Sequence, residues 1–230
     1  MSRQLALALA SSPPPTFDNF VAGRNSEVMA RLQWLCGAPA GERFVYLWGP
    51  PACGRTHLLK ATVAAFKSAG ARATYIACGN ELPLTAETEE SDCTAVDDVD
   101  RLDDAGQVAL FHLYNQLRER ARTLVAAGNA PPMRLALRPD LVTRLAWGLV
   151  YQLHALTDEE KMQALASHAH ARGFALSGEM CDYLLQRVRR DMPTLLAFVE
   201  AIDRHSLETK RAVTMSLLRE LVRELASGQR

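Results

Sequence analysis

FVYLWGPPACGRTHLL, residues 44 to 59, decides the fold. Its first five residues are apolar and uninterrupted by charge, which reads as a buried strand. Gly49 and Gly54 then bracket four residues, and Thr56 closes the turn before an apolar helical run. Strand, glycine-rich turn and helix start, in that order, make a phosphate cradle. Glycines let backbone N–H groups approach phosphate oxygens, the helix start at Gly54 to His57 favours anions, and the Thr56 hydroxyl can ligate Mg²⁺. Arg55 stands where a lysine is usual. A guanidinium still forks onto phosphate, but it is bulkier and a poorer point charge between β- and γ-phosphates. The expectation is nucleotide binding with weak intrinsic hydrolysis.

Working outward, short apolar runs at 44 to 48, 73 to 77, 94 to 96, 123 to 127 and 149 to 153 alternate with helical patterns. Such alternation predicts right-handed βαβ units, a parallel sheet and an α/β domain over residues 17 to 156. From Thr157 only helical periodicity remains. TDEE at 157 to 160 is a capping-box signature opening a helix through about His170, with further helices near 178 to 190, 194 to 206 and 213 to 225. Residues 157 to 230 therefore read as a small all-helical domain. Residues 1 to 16, ending SSPPPT, read as an extended tail, because successive prolines favour polyproline II.

Ligands of open parallel sheets sit beyond the C-terminal ends of strands. Asp97 and Asp98 follow the run at 94 to 96, so Asp97 is placed to hold Mg²⁺ with Thr56 and Asp98 to orient an attacking water. Asn129, just past the run at 123 to 127, is placed to reach the same water or the γ-phosphate. The plainer readings are an acidic loop for VDDVDRLDD and an ordinary turn residue for Asn129.

Composition sets the outer limits. The chain has 230 residues, 26 basic and 26 acidic, and is 48% hydrophobic. That describes a charge-balanced globular protein of one or two domains, not a collagen or a disordered tail. LALALA at 5 to 10 falls far short of the ~20 apolar residues of a spanning helix, and is also too short for a signal peptide. Zero net charge argues against holding nucleic acid by bulk positive charge. By segment the net charge runs +4 over 1 to 86, −8 over 87 to 104, +4 over 105 to 156 and 0 over 157 to 230. The acidic block contains the carboxylates assigned to Mg²⁺, and residues 87 to 92 read as a solvated acidic loop. The arginines of the helical pattern at 110 to 122 read as solvated charge. Five widely spaced cysteines without a CxxC pair suggest neither disulfides nor zinc, and a reducing cytoplasm fits. The six histidines show no metal spacing.

Together, TFDNFVAG (16 to 23), YLWGPPACGRTHLL (46 to 59), VDDVDRL (96 to 102), LYNQLRE (113 to 119) and LVTRLAWGLVYQL (141 to 153) resemble the AAA+ core of the bacterial replication initiator DnaA. GRT in the loop and PPMRLALRPDLVTRLAWG (131 to 148) resemble more closely the DnaA-related regulatory inactivators. The resemblance covers nearly the whole chain. It implies an AAA+ P-loop α/β domain followed by a helical lid that ends where the initiator's DNA-binding helix-turn-helix would begin. It places Phe17, Asn19, Val21 and Gly23 beside the adenine. Gly49, Gly54, Arg55, Thr56 and His57 become the phosphate loop, Asp97 and Asp98 the Walker B pair, and Asn129 the sensor 1 residue. Arg144 matches the arginine finger that acts on nucleotide in a neighbouring subunit, its plainer reading being a surface arginine. In the lid, Pro193 in DMPTL stands where the family has the sensor 2 arginine; Arg189 or Arg190 are candidate substitutes.

QLALAL at 4 to 9 resembles the peptide by which bacterial proteins dock on the DNA polymerase III sliding clamp, the beta subunit. Gln4 would hydrogen-bond in a pocket while Leu5, Leu7 and Leu9 fill apolar ones. The resemblance thus implies a cytoplasmic regulator of initiation that holds ADP or ATP, with ADP the expected resident, together with Mg²⁺. Its partners would be DnaA, the clamp and, through the clamp, DNA; it needs no membrane, and self-association is compatible with the finger. It would promote hydrolysis of ATP held by DnaA. Two alternatives stay open: an autonomous AAA+ ATPase of initiator or helicase-loader type, and a clamp-tethered adaptor whose nucleotide is structural.

Overall fold

A computed structural model describes residues 14–37, 41–79, 81, 82, 85, 88 and 90–228. The chain divides into two compact units, Pro15–Ala155 and Leu156–Arg230. In the first, five parallel strands, β1 (Phe44–Trp48), β2 (Ala73–Ala77), β3 (Cys93–Asp97), β4 (Thr123–Gly128) and β5 (Leu149–Gln152), lie in the order β2-β3-β4-β1-β5. The central strands β3 and β4 are buried throughout, which is why they read as continuous apolar runs rather than alternating ones.

Alternate residues of a strand face opposite sides of the sheet, and each side has its own core. Val45 and Leu47 pack with α1 (Ser26–Leu35) and α2 (Arg55–Ser68) through Leu32, Leu35, Leu58 and Leu59. Phe44 and Tyr46 pack with α3 (Asp104–Glu119) and α4 (Pro139–Trp147) through Leu110, Tyr114, Leu141 and Leu145. Asp103 starts α3 by accepting from the Gly106 N–H, satisfying one of the helix's free donors.

The second unit contains α5 (Asp158–Ala171), α6 (Gly178–Arg187), α7 (Met192–Thr209) and α8 (Met215–Gly228) around an apolar core that includes Leu165, Leu184, Phe198 and Leu218. The expected capping box is present, Thr157 and Glu160 exchanging side-chain-to-backbone bonds. Five helix boundaries differ by two or three residues from those read in the sequence, α7 running on to Thr209 and α8 to Gly228 among them. Helix α6 stops at Arg187, where Val188 turns extended and Arg190 Nε binds the Leu185 carbonyl. Helix α7 starts two residues early, because Asp191 caps it and Pro193 fits its first turn. Helix α8 starts two residues late, with the Thr214 hydroxyl accepting from the Leu217 N–H.

The stretch read as a solvated acidic loop is partly tied down. Asp92 pairs with Arg122 at 2.8 Å and accepts from the Arg72 N–H, and Glu90 pairs with Arg72. The arginines at the end of the 110 to 122 pattern are likewise engaged: Arg122 by Asp92, and Arg118 by an aromatic ring described below.

Candidate functional site

The loop between β1 and α2 turns through two left-handed residues, Ala52 at φ 61° and Gly54 at φ 101°. At Gly54 only glycine fits: a Cβ there would stand 2.6 Å from the Phe20 ring. Gly54 is the N-cap of α2, which delivers Arg55, Thr56 and His57 in its first turn. The Thr56 hydroxyl donates to Asp97 Oδ2 at 2.6 Å, the Tyr75 hydroxyl donates to the same oxygen at 2.9 Å, and the Asp98 N–H donates to Asp97 Oδ1. Asp97 is 2% exposed, so its carboxylate is held by three donors in place of water.

Asp98 is left-handed at φ 54°. Its carboxylate stands 3.9 Å from Arg55 Nη2 and 3.9 Å from Arg101 Nη1. Burial, then the neighbouring Asp97, push its carboxyl above the usual carboxylate range, with Arg55 acting against them. The Arg55 side chain is only 15% exposed, and its Nη1 is buried without a hydrogen-bond partner among the described residues. A buried guanidinium nitrogen lacking an acceptor, at the start of a helix, fits a phosphate oxygen. One hydroxyl and one carboxylate fit Mg²⁺, which takes one or two carboxylates and completes its shell with phosphates and water. Among the described residues no cluster of three or more His, Cys, Asp or Glu makes an all-protein metal cage.

On the other side of the loop, residues 16 to 25 form a strap. Thr16 and Asn19 exchange backbone-to-side-chain bonds at 2.8 and 3.3 Å. The Thr16 carbonyl accepts from His57 Nε2 at 2.9 Å, and the Phe20 and His57 rings are 5.3 Å apart. Burial holds the His57 imidazole below its ordinary value. Asn25 closes the strap by bonding both backbone groups of His154 at 2.8 Å. Val21 is half-buried and Gly23 exposed within it. Gly49 packs where a Cβ would collide with the Leu153 carbonyl, just past β5.

Asn129 does not reach the Thr56–Asp97 pair. Its Nδ2 donates to Asp100 Oδ2 at 2.8 Å and its N–H to Asp100 Oδ1 at 2.9 Å. Arg144 also lies outside the cluster. Its guanidinium stacks over Trp147 at 4.2 Å, near Phe111 and Tyr114, and no carboxylate partners it among the described residues. In the lid, Arg190 pairs with Asp158 and Arg189 with Asp191, so the candidate substitutes for the sensor 2 arginine are engaged within their own unit. Gln4, Leu5, Leu7 and Leu9 lie outside the described residues. No helix of the described residues is long and apolar enough to cross a membrane.

Four residues that shape these sites were not singled out from the sequence: Phe20, Tyr75, Asp100 and Trp147. Asp100 had a readable signal, being the third acidic residue of VDDVD; the other three act through tertiary contacts.

A family model described as "Hda, lid domain" matches residues 158–222. Domain III of the replication initiation protein DnaA from Thermotoga maritima is similar at 21% identity, over 93% of this chain and 98% of that one, with a TM-score of 0.70. AMPPCP-bound DnaA from Aquifex aeolicus is similar at 20% identity, over 84% of this chain and 66% of that one, with a TM-score of 0.67. Likeness at these identities shows the fold, that of an AAA+ unit like DnaA domain III. A five-stranded parallel sheet in the order β2-β3-β4-β1-β5 followed by a helical unit is thus the fold of DnaA domain III, and it is the helical unit, over residues 158–222, that the Hda lid-domain model matches.

Proposed function

We propose that this chain binds an adenine nucleotide in its own loop and uses Arg144 on ATP held by DnaA, switching initiation off. The observation that carries this reading is the contrast between two guanidinium groups. Arg55 is sunk beside Asp98, whereas Arg144 rests on aromatic rings with no carboxylate to neutralise it. A charge kept unneutralised and reachable can stabilise the negative charge that spreads over a γ-phosphoryl group in transfer. Water attacks the γ-phosphorus and the bond to the β-phosphate oxygen breaks, which converts the ATP held by the partner to ADP and inorganic phosphate.

Within the chain's own site, Gly49 and Gly54 let backbone amides approach phosphate, and Arg55 forks onto its oxygens. Thr56 and Asp97 are the residues that would hold Mg²⁺, which when bound supplies positive charge to the phosphate oxygens. Val21 and Gly23 would border the base, and His57 would complete the phosphate loop. The AMPPCP held by the Aquifex relative supports an adenine nucleotide here. Arg55 near Asp98 supports slow hydrolysis of it, since the carboxylate that would orient water faces a cation instead. Residues 4 to 9 supply the tether to the clamp, and the setting is the cytoplasm.

The test is ATP hydrolysis by DnaA in the presence of DNA-loaded clamp, comparing wild type with Arg144→Ala. Loss of stimulation is expected; equal stimulation by both proteins overturns the reading. An autonomous ATPase is the second reading, favoured by the intact Thr56–Asp97 hydrogen bond. It requires turnover by the chain alone that disappears in Asp97→Asn.

A further inference from the structure

Trp147 ends α4 with 53% of its surface exposed. Two guanidinium groups lie over its ring, that of Arg144 at 4.2 Å and that of Arg118 at 4.8 Å from the centroid. They reach it from different elements: Arg144 sits one turn back on the same helix, while Arg118 belongs to the last turn of α3. Arg118 follows Tyr114 by one turn on α3, and its positive charge acts on the Tyr114 phenol against the effect of burial. Tyr114 is buried, and its ring packs on Phe44 of β1 at 4.5 Å. A continuous series of contacts therefore runs from the sheet through Tyr114, Arg118 and Trp147 to Arg144.

What the ring does for Arg144 follows from what a carboxylate would do instead. An acid would also fix the guanidinium, but it would cancel the charge and occupy its N–H donors. An aromatic face attracts the cation through its quadrupole, restrains a long flexible side chain, and leaves the N–H edge free. Resting on the reading of Arg144 as a residue acting in trans, we propose that Trp147 is the positioning residue for Arg144, with Arg118 fixing the ring from α3.

The experiment measures DnaA-bound ATP hydrolysis with DNA-loaded clamp across a concentration series of full-length chain, for wild type, Trp147→Ala, Trp147→Phe and Trp147→Leu. Trp147→Ala is expected to lower the maximal rate about tenfold, the order set by losing a cation–π contact and the alignment it gives. The concentration for half-maximal stimulation stays within about twofold. Trp147→Phe, which keeps a π-face, recovers most of the rate; Trp147→Leu, which keeps bulk alone, does not. Equal rates for the Phe and Leu variants overturn the proposal, also where Trp147→Ala does not fold. So does an effect confined to the half-maximal concentration, which would make the ring a docking contact. A second readout is independent of DnaA: the order of the Arg144 side-chain Nε–H by NMR relaxation, expected to fall in Trp147→Leu. If Arg144→Ala still stimulates fully while that order falls, the in-trans reading fails and the positioning of Arg144 stands; unchanged order overturns the positioning itself.

Discussion

The two arginines at the centre of this molecule are held in opposite ways. Arg55 is 15% exposed, 3.9 Å from a carboxylate, with one nitrogen buried and lacking an acceptor. Arg144 has rings around it, no acid among the described residues, and a half-buried side chain. The first surrounding suits a ligand that enters the chain's own fold and satisfies what is buried. The second suits a ligand carried by another molecule, because the charge is restrained without being neutralised.

The largest effect expected from breaking that contrast is in the outward arginine. Arg144→Ala should reduce stimulation of DnaA-bound ATP hydrolysis by about 10³-fold or more, while nucleotide binding by the chain itself, read by equilibrium dialysis, stays unchanged. Next comes Asp97, the sequence neighbour of the carboxylate that faces the inward arginine. Asp97→Ala leaves the Thr56 and Tyr75 hydroxyls without their shared acceptor. We expect a loss of about 2 to 4 kcal/mol in denaturant unfolding, and nucleotide affinity that no longer responds to Mg²⁺.

Gly54→Ala should cost about 1 to 3 kcal/mol and weaken nucleotide binding, because φ 101° is strained for any Cβ and the Phe20 ring occupies the space. Adding Phe20→Ala should recover the steric part and not the conformational part, a difference that a double-mutant cycle resolves. The smallest effect concerns pH. Burial lowers the folded-state value of His57, so below its ordinary value of 6.5 the unfolded chain takes up a proton that the folded chain resists. Stability contributed by the neutral ring is therefore complete above that pH and falls as the pH drops through it toward the folded value. His57→Gln, which keeps a donor for the Thr16 carbonyl, should flatten this slope in thermal melts between about pH 7 and pH 5.

How far the sequence could be read follows from the range of the interactions. The strands were legible because a parallel sheet covered on both faces needs unbroken apolar runs, and FVYLW and the LVAA of β4 are such runs. The glycine-rich turn between β1 and α2 was legible because its glycines and its helix start are contiguous. Tyr75 was not, since it reaches Asp97 only once β2 and β3 align Ala77 with Asp97. Phe20 is a tertiary contact on a glycine 34 positions later in the chain. The engagement of Asn129 by Asp100 depends on β3 and β4 ending side by side. The Arg144–Trp147 spacing is a helical neighbour pair and could be seen in RLAW; that Arg118 comes from α3 to the same ring could not.

The strand order has a consequence for synthesis. β1 leads into the glycine-rich turn, yet its sheet neighbours are β4 and β5, with Val45 opposite Val125 and Leu149. While the chain is being made, β1 therefore waits for about 80 further residues before its first strand partner exists, roughly 4 to 16 s at ordinary elongation rates. A nascent chain stopped before Thr123 should be unable to retain nucleotide. Bound nucleotide on a ribosome-tethered series of lengths would then switch on near the emergence of β4, making ligand capture a clock for completion of the sheet.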